Sequence, residues 1–247
     1  MAQAQDFIKG WPHQELLTGA DLRYALSQSF MKGLEMSHEA LNYGDAANGA
    51  YMMGHPKFRQ SLAAFLEKQY GQPVDWKTLM SMGGASMATD VAIRQHCKPG
   101  DIAVVEEPTY YLSFNMIRAN QMTIKGVPME SDGMDLVALE KLLKEEGGKI
   151  KMVYTVPVHH NPTGVCMSEA KRMKLVALAR EYNFVIVADE AYQLLNFGGF
   201  KVKPMFFYDD AANPRVLGIS TFSKLIGPGI KIGWVHAHEA LLKPLTS

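Results

Sequence analysis

Along this chain, short apolar runs rich in β-branched residues alternate with longer stretches in which apolar positions recur with helical spacing. The runs fall around 78–82 and at IAVVEEP (102–108), QMTIKGVP (121–128), KIKMVYTVP (149–157), NFVIVADEAY (183–192), RVLGIST (215–221) and KIGWVHA (231–237), and each predicts a strand. The stretches Met87–Cys97, Leu136–Glu146 and Glu169–Tyr182 predict amphipathic helices, the last with Ser168 as its N-cap. Strand, helix, strand in repetition describes an α/β fold. It implies a mostly parallel sheet of about seven strands with helices on both faces, because runs apolar throughout must be covered on both sides.

In such sheets ligands bind outside the carboxyl ends of the strands. The polar residues of this chain collect there, at Gly83–Ser86, Pro108–Tyr111, Asn161–Gly164, Asp189–Tyr192 and Thr221–Lys224. Residues 1–45 predict a separate N-terminal arm, with KGWPHQELLTG as an irregular lead-in and two helical stretches after it, and residues 46–247 form the sheet domain. The sequence has neither an internal repeat nor a low-complexity linker.

Composition narrows the partners. A chain of 247 residues, 47% hydrophobic, can bury a sizeable core. With 25 basic and 25 acidic residues the formal net charge is zero, so nothing draws the chain to nucleic acid or to an anionic membrane, and small neutral or zwitterionic ligands fit better. Cys97 and Cys166 are far apart, which indicates neither a disulfide framework nor a zinc site and fits a reducing compartment. MAQAQDFIKGW has an early acid and no apolar leader, and no later run reaches the ~18–20 apolar residues of a membrane span. A cytoplasmic location is expected.

Each polar cluster, taken alone, has two readings. MGGASMATD offers free N–H groups to a phosphate at the start of a helix, and serves equally as a tight strand-to-helix turn. HHNPTG builds a turn from Asn-Pro and Gly. The adjacent His159 and His160 invite a metal reading, but neighbours in an extended segment point to opposite sides and no carboxylate spacing accompanies them, so no metal is expected. VIVADEAY ends an apolar strand in two acids, which suit a ligand, an ion pair or a helix cap. Lys224 fits a nucleophile or an ordinary surface lysine. The glycines lack the G-x-G-x-x-G and G-x-x-x-x-G-K spacings of nucleotide-binding domains.

The order of the clusters separates these readings. GGAS, EEPTYY, NPTG, ADEAY, then STFSK with GPGIKIGW resembles the fold-type I pyridoxal-phosphate aminotransferases of class I/II, over a span from about Tyr43 to Trp234. Within that family, LNYG and the short spacing from Lys224 to Lys231 are most similar to the 2-aminoadipate and kynurenine aminotransferase branch. The resemblance implies pyridoxal 5′-phosphate as cofactor, with Lys224 as the amine that holds it as a Schiff base and later moves a proton. Asp189 matches the carboxylate at the ring nitrogen. Tyr192 and Asn161 match the partners of the ring's phenolic oxygen, and Tyr110, with Tyr111 beside it, matches the aromatic stacked on the ring. For the phosphate the resemblance implies Gly84, Ala85, Ser86, Thr221, Ser223 and Lys231, together with Tyr43 reaching across a homodimer to the neighbouring site.

The sequence departs from the family pattern in three places. Lys231 stands where the family has arginine, keeping the charge without the bidentate fork. YGDAANGAYMMGHPKFR is expanded relative to the usual compact loop. The chain stops at LLKPLTS, so the C-terminal small domain, with the arginine that clamps the substrate carboxylate, is expected to be absent. The expected activity is transfer of an amino group between an L-amino acid and a 2-oxo acid. The alternatives are a lyase of the C–S or β-eliminating kind, and a fragment that binds the cofactor without turnover.

Overall fold

The structure, a computed structural model, describes residues 12–35, 51–197 and 202–246. Eight strands occur among them: β1 (Leu79–Met82), β2 (Ile102–Glu107), β3 (Thr123–Glu130), β4 (Gly133–Met134), β5 (Ile150–Thr155), β6 (Val185–Asp189), β7 (Val216–Thr221) and β8 (Gly233–His236). They form one sheet in the order β1-β8-β7-β6-β5-β2-β3-β4. The middle of the sheet, from β3 through β2, β5 and β6 to β7, is parallel.

The edges run the other way. The 231–237 run forms β8, which pairs antiparallel with both β7 and β1. Only the 222–232 turn joins it to β7, closed by the Phe222 N–H on the Ile232 carbonyl at 3.0 Å. That is too short for the crossover a parallel neighbour needs. The two-residue β4 pairs antiparallel with β3 and is too short to leave a periodic signal.

The helices are α1 (Gln14–Leu17), α2 (Ala20–Glu35), α3 (Pro56–Tyr70), α4 (Ala85–His96), α5 (Leu112–Ala119), α6 (Leu136–Glu146), α7 (Glu169–Tyr182) and α8 (Glu239–Leu242). α6 and α7 have the boundaries that their periodicity predicts. Ser168 caps α7 by accepting the Lys171 N–H at 3.4 Å, and Asp135 caps α6 by accepting from Val137 and Ala138, both at 2.9 Å. α4 begins two residues before the expected Met87, because Gly84 and not a side chain turns the backbone into the helix.

Helices cover both faces of the sheet. On one, Ala88, Ala92 and Ile93 of α4 and Ile117 of α5 pack against Ala103, Val105, Val187 and Leu217. On the other, Leu139 and Leu143 of α6 and Leu175 and Val176 of α7 pack against Val104, Val153 and Ile186. α3 completes that second face at the sheet edge, with Leu66 and Tyr70 against Leu79 and Trp234. Strands β6 and β7 are buried along their whole length, which is why they read as unbroken apolar runs. No helix among the described residues is long and apolar enough to cross a membrane.

Candidate active site

The carboxyl ends of the parallel strands and the amino end of α4 enclose one cleft, into which the 222–232 turn folds. Its walls carry Gly84, Ala85, Ser86, Tyr110, Asn161, Asp189, Tyr192, Thr221, Ser223, Lys224 and Lys231. Residues from six separate stretches of sequence therefore meet, and Tyr43 alone of the expected set lies outside the described residues.

At the deep end Asp189, the last residue of β6, is 8% exposed. Its Oδ2 accepts the Tyr154 hydroxyl at 2.7 Å and its Oδ1 accepts the Ala191 N–H at 3.2 Å. Burial raises its carboxyl above the ordinary value, while those two donors and the charge of Lys224 pull it partly back. Burial conversely lowers the Lys224 ammonium, opposed by Asp189, so the amine loses its proton more readily than an exposed lysine. Lys224 Nζ lies 5.9 Å from the centre of the Tyr192 ring. The Tyr192 hydroxyl is hydrogen-bonded to Asn161, which partly offsets the rise that burial causes in its pKa. Tyr110 turns into the cleft, and Tyr111, edge-on to it at 5.8 Å between ring centres, is 69% exposed.

The other end of the cleft is built for an anion. Gly84, at φ 92°, is the N-cap of α4 and offers no side chain, so the first-turn N–H groups have no side-chain cap. β8 passes close by: a Cβ at Gly233 would lie 2.6 Å from the Ser220 carbonyl and 2.9 Å from Gly84 Cα, so glycine is required there. Thr221 Oγ1 accepts the Ser223 N–H at 3.1 Å and lies 2.9 Å from Ser223 Oγ, which gathers two hydroxyls at the same wall. Lys231 adds a cation from a left-handed backbone position at φ 53°.

These observations meet the family comparison. The sequence profile of the class I and II aminotransferases matches residues 17–247. This chain belongs to the class I and II aminotransferases. It is 36% identical over 210 residues to aromatic-amino-acid aminotransferase 1 of Thermococcus litoralis, which covers 84% of this chain and 48% of that protein. Among solved structures it is similar to the multiple substrate aminotransferase of Thermococcus profundus, at 34% identity and a TM-score of 0.81, covering 96% of this chain and 57% of that one. It is also similar to the kynurenine aminotransferase of Pyrococcus horikoshii in complex with PMP, at 31% identity and a TM-score of 0.76, covering 96% and 55%. The chain thus spans about half the length of the aminotransferases it matches.

The residues present fit pyridoxal phosphate, the cofactor of this family. A half-buried amine, a buried carboxylate and an aromatic wall occupy one end of the cleft, and uncapped N–H groups, hydroxyls and a lysine the other. No group of three His, Cys, Asp or Glu side chains that could hold a metal occurs among the described residues.

Three features in and around the cleft escape a reading of the sequence. Tyr154 reads as a core aromatic within β5, although a buried tyrosine hydroxyl needs a partner, and here the partner is Asp189. Glu190, next to Asp189, points to the other face of β6, where its Oε1 accepts the Met205 N–H at 2.7 Å. Burial pushes its carboxyl up to about 7. His160 is fully buried, with Nε2 3.0 Å from Glu106 Oε2, while Glu106 also accepts from Thr155 Oγ1 at 2.6 Å and Val156 N–H at 2.9 Å. That pair ties the Asn161 segment to β2. The segment is not extended there as expected: His159 takes a left-handed backbone position at φ 47°, and its ring turns to Cys166 and Asn196 instead.

Proposed function

We propose that this chain is the cofactor-binding portion of an aminotransferase that moves an amino group between an L-amino acid and a 2-oxo acid. The observation that carries the reading is the meeting of Lys224, Asp189 and the uncapped start of α4 in one cleft. When bound, pyridoxal phosphate supplies the carbonyl that amines condense with and a ring that accepts the electron pair left at the substrate Cα.

The protein's own groups do the rest. Asp189 would hold the proton of the ring nitrogen by charge, with Tyr154 and the Ala191 N–H holding the carboxylate still. Lys224 would hold the cofactor, and its amine would be the base that takes the substrate Cα proton. Burial lowers its ammonium pKa, which favours the free amine that the task needs. Tyr192 and Asn161, a hydrogen-bonded pair, would hold the phenolic oxygen, and Tyr110 would form a wall against the ring. Gly84, Ala85, Ser86, Thr221, Ser223 and Lys231 would hold the phosphate.

Residues 46–247 make up the cofactor-binding domain in this reading, and residues 1–45 an arm. The protein acts as a cytoplasmic homodimer in which Tyr43 reaches the neighbouring phosphate. Similarity to the kynurenine aminotransferase favours that branch for the substrate class. The test is the absorption spectrum of the purified chain with pyridoxal phosphate, before and after L-glutamate, with Lys224→Ala as control. A lysine-dependent band that glutamate converts supports transfer. A band that no amino acid converts supports cofactor binding without turnover, pyruvate or ammonia released without a 2-oxo acid acceptor supports a lyase, and no Lys224-dependent band overturns the role of that lysine.

A further inference from the structure

Outside the cleft, Cys166 belongs to a cluster that the proposed transfer does not use. Its Sγ lies 3.5 Å from His159 Nδ1 and accepts the His159 backbone N–H at 3.3 Å. The far side of the same ring, Nε2, lies 3.0 Å from Asn196 Oδ1. The side-chain amide of Asn196 is oriented in turn, because its Nδ2 donates to the Gln193 carbonyl at 2.9 Å.

These contacts fix the tautomer. With Nδ2 committed to Gln193, Asn196 presents an acceptor to His159, so the neutral imidazole carries its proton on Nε2. Nδ1 then faces the thiol as an acceptor. A nucleophile, a base within reach and a third group that orients the base constitute the general arrangement for activating a thiol. A buried side chain holds the loop in place. Arg172, 1% exposed, donates to the carbonyls of Met167 and Pro157 at 2.9 and 2.7 Å, which flank this loop. Cys166 and His159 both keep part of their surface open to solvent.

We infer that Cys166 is a modification site, a thiol activated by His159 and Asn196 for exchange with low-molecular-weight disulfides. In the exchange the Cys166 proton passes to His159 Nδ1 and the sulfur attacks one sulfur of the disulfide R–S–S–R. The old S–S bond breaks as the new one forms. The departing RS⁻ takes the electron pair and then the proton from the imidazolium, so the Cys166 sulfur is oxidised and the leaving sulfur reduced. The other thiol is an internal contrast: burial, aided by Asp101, pushes Cys97 up to about 12. This site stands independently of the function assigned to the cleft.

The test is the rate at which the native full chain releases nitrothiobenzoate from the aromatic disulfide dithiobis(nitrobenzoate) near pH 7, with intact-mass analysis to locate the adduct. One thiol per chain reacts, at least about tenfold faster than free cysteine, and it persists in Cys97→Ser and disappears in Cys166→Ser. His159→Gln slows it by about tenfold or more, and Asn196→Ala by several fold. A Cys166 that reacts no faster than free cysteine in the unaltered protein overturns the inference. So does a rate that His159→Gln leaves unchanged in a variant with native far-ultraviolet circular dichroism.

Discussion

Glu190→Gln tests what the buried acid beside the cleft costs the fold. Glu190 is 2% exposed, and its Oε1 holds the Met205 N–H at 2.7 Å while a Cβ on Gly218 would meet its Oε2 at 3.0 Å. Burial drives its carboxyl from 4.5 to about 7, outweighing the Met205 N–H and the charge of Arg172. A carboxyl whose folded pKa exceeds its unfolded one binds more protons when folded. Its stabilising contribution is therefore fully present below about 4.5 and is lost as pH rises through about 7. At about 1.4 kcal/mol for each pH unit of that gap, the whole effect is about 3 kcal/mol. Glutamine keeps an acceptor for Met205 and does not titrate. Urea unfolding of both proteins without cofactor, at steps from about pH 4.5 to about pH 8, gives their stability difference. Taking the difference removes His236, whose ring burial lowers to about 3 and which works the other way, losing stability as pH falls below its ordinary 6.5. The stability of the natural protein relative to the variant should fall by about 3 kcal/mol over that range. A difference flat to within about 0.5 kcal/mol would refute the account of Glu190.

Other perturbations address the cleft directly. Tyr154→Phe removes a 2.7 Å donor to a buried carboxylate. Such a bond is worth about 1.5–3 kcal/mol, so pyridoxal phosphate should bind about tenfold or more weakly near neutral pH, with the midpoint for binding moved to higher pH; unchanged affinity in a spectrophotometric titration would contradict this. Lys231→Arg adds a bidentate fork at the anion end and should tighten cofactor binding by about fivefold, read by equilibrium dialysis; equal or weaker retention would count against Lys231 as a phosphate ligand. Gly233→Ala places a Cβ 2.6 Å from the Ser220 carbonyl. It should lower stability by about 1–3 kcal/mol in thermal melts, and a neutral outcome would mean that β8 can move away from α4.

The parts of the fold legible in sequence are those with local physical causes. β6 and β7 stand out because both faces are buried, and α7 begins where expected because Ser168 accepts the Lys171 N–H. The cleft residues were legible for a related reason: each polar cluster follows an apolar run, and the ends of parallel strands open together. Strand direction has no such local mark. β8 resembles its parallel neighbours in composition, and only the shortness of the 222–232 turn forces it to reverse. Long-range polar pairs are equally silent. His160 and Glu106 lie on different strand ends far apart in sequence, and Tyr154 passes for core until β5 is set beside β6, in the register that pairs it with Val187.

The two acids of VIVADEAY show where local reasoning stops. Adjacent residues at the end of a strand face opposite sides of the sheet, so one acid had to point toward α4 and the other toward α7. Which one reaches the cleft depends on which helices cover which face, and that is decided by tertiary packing. Val185 and Val187 lie in the core with α4, so Asp189, two positions further on, shares their face and emerges beside Lys224. Ile186 and Ala188 lie in the core with α7, so Glu190 shares theirs and is left buried near Arg172. The same parity that gives the cleft its carboxylate thus places a second acid inside the protein, where its proton affinity is raised and neutral pH weakens the fold.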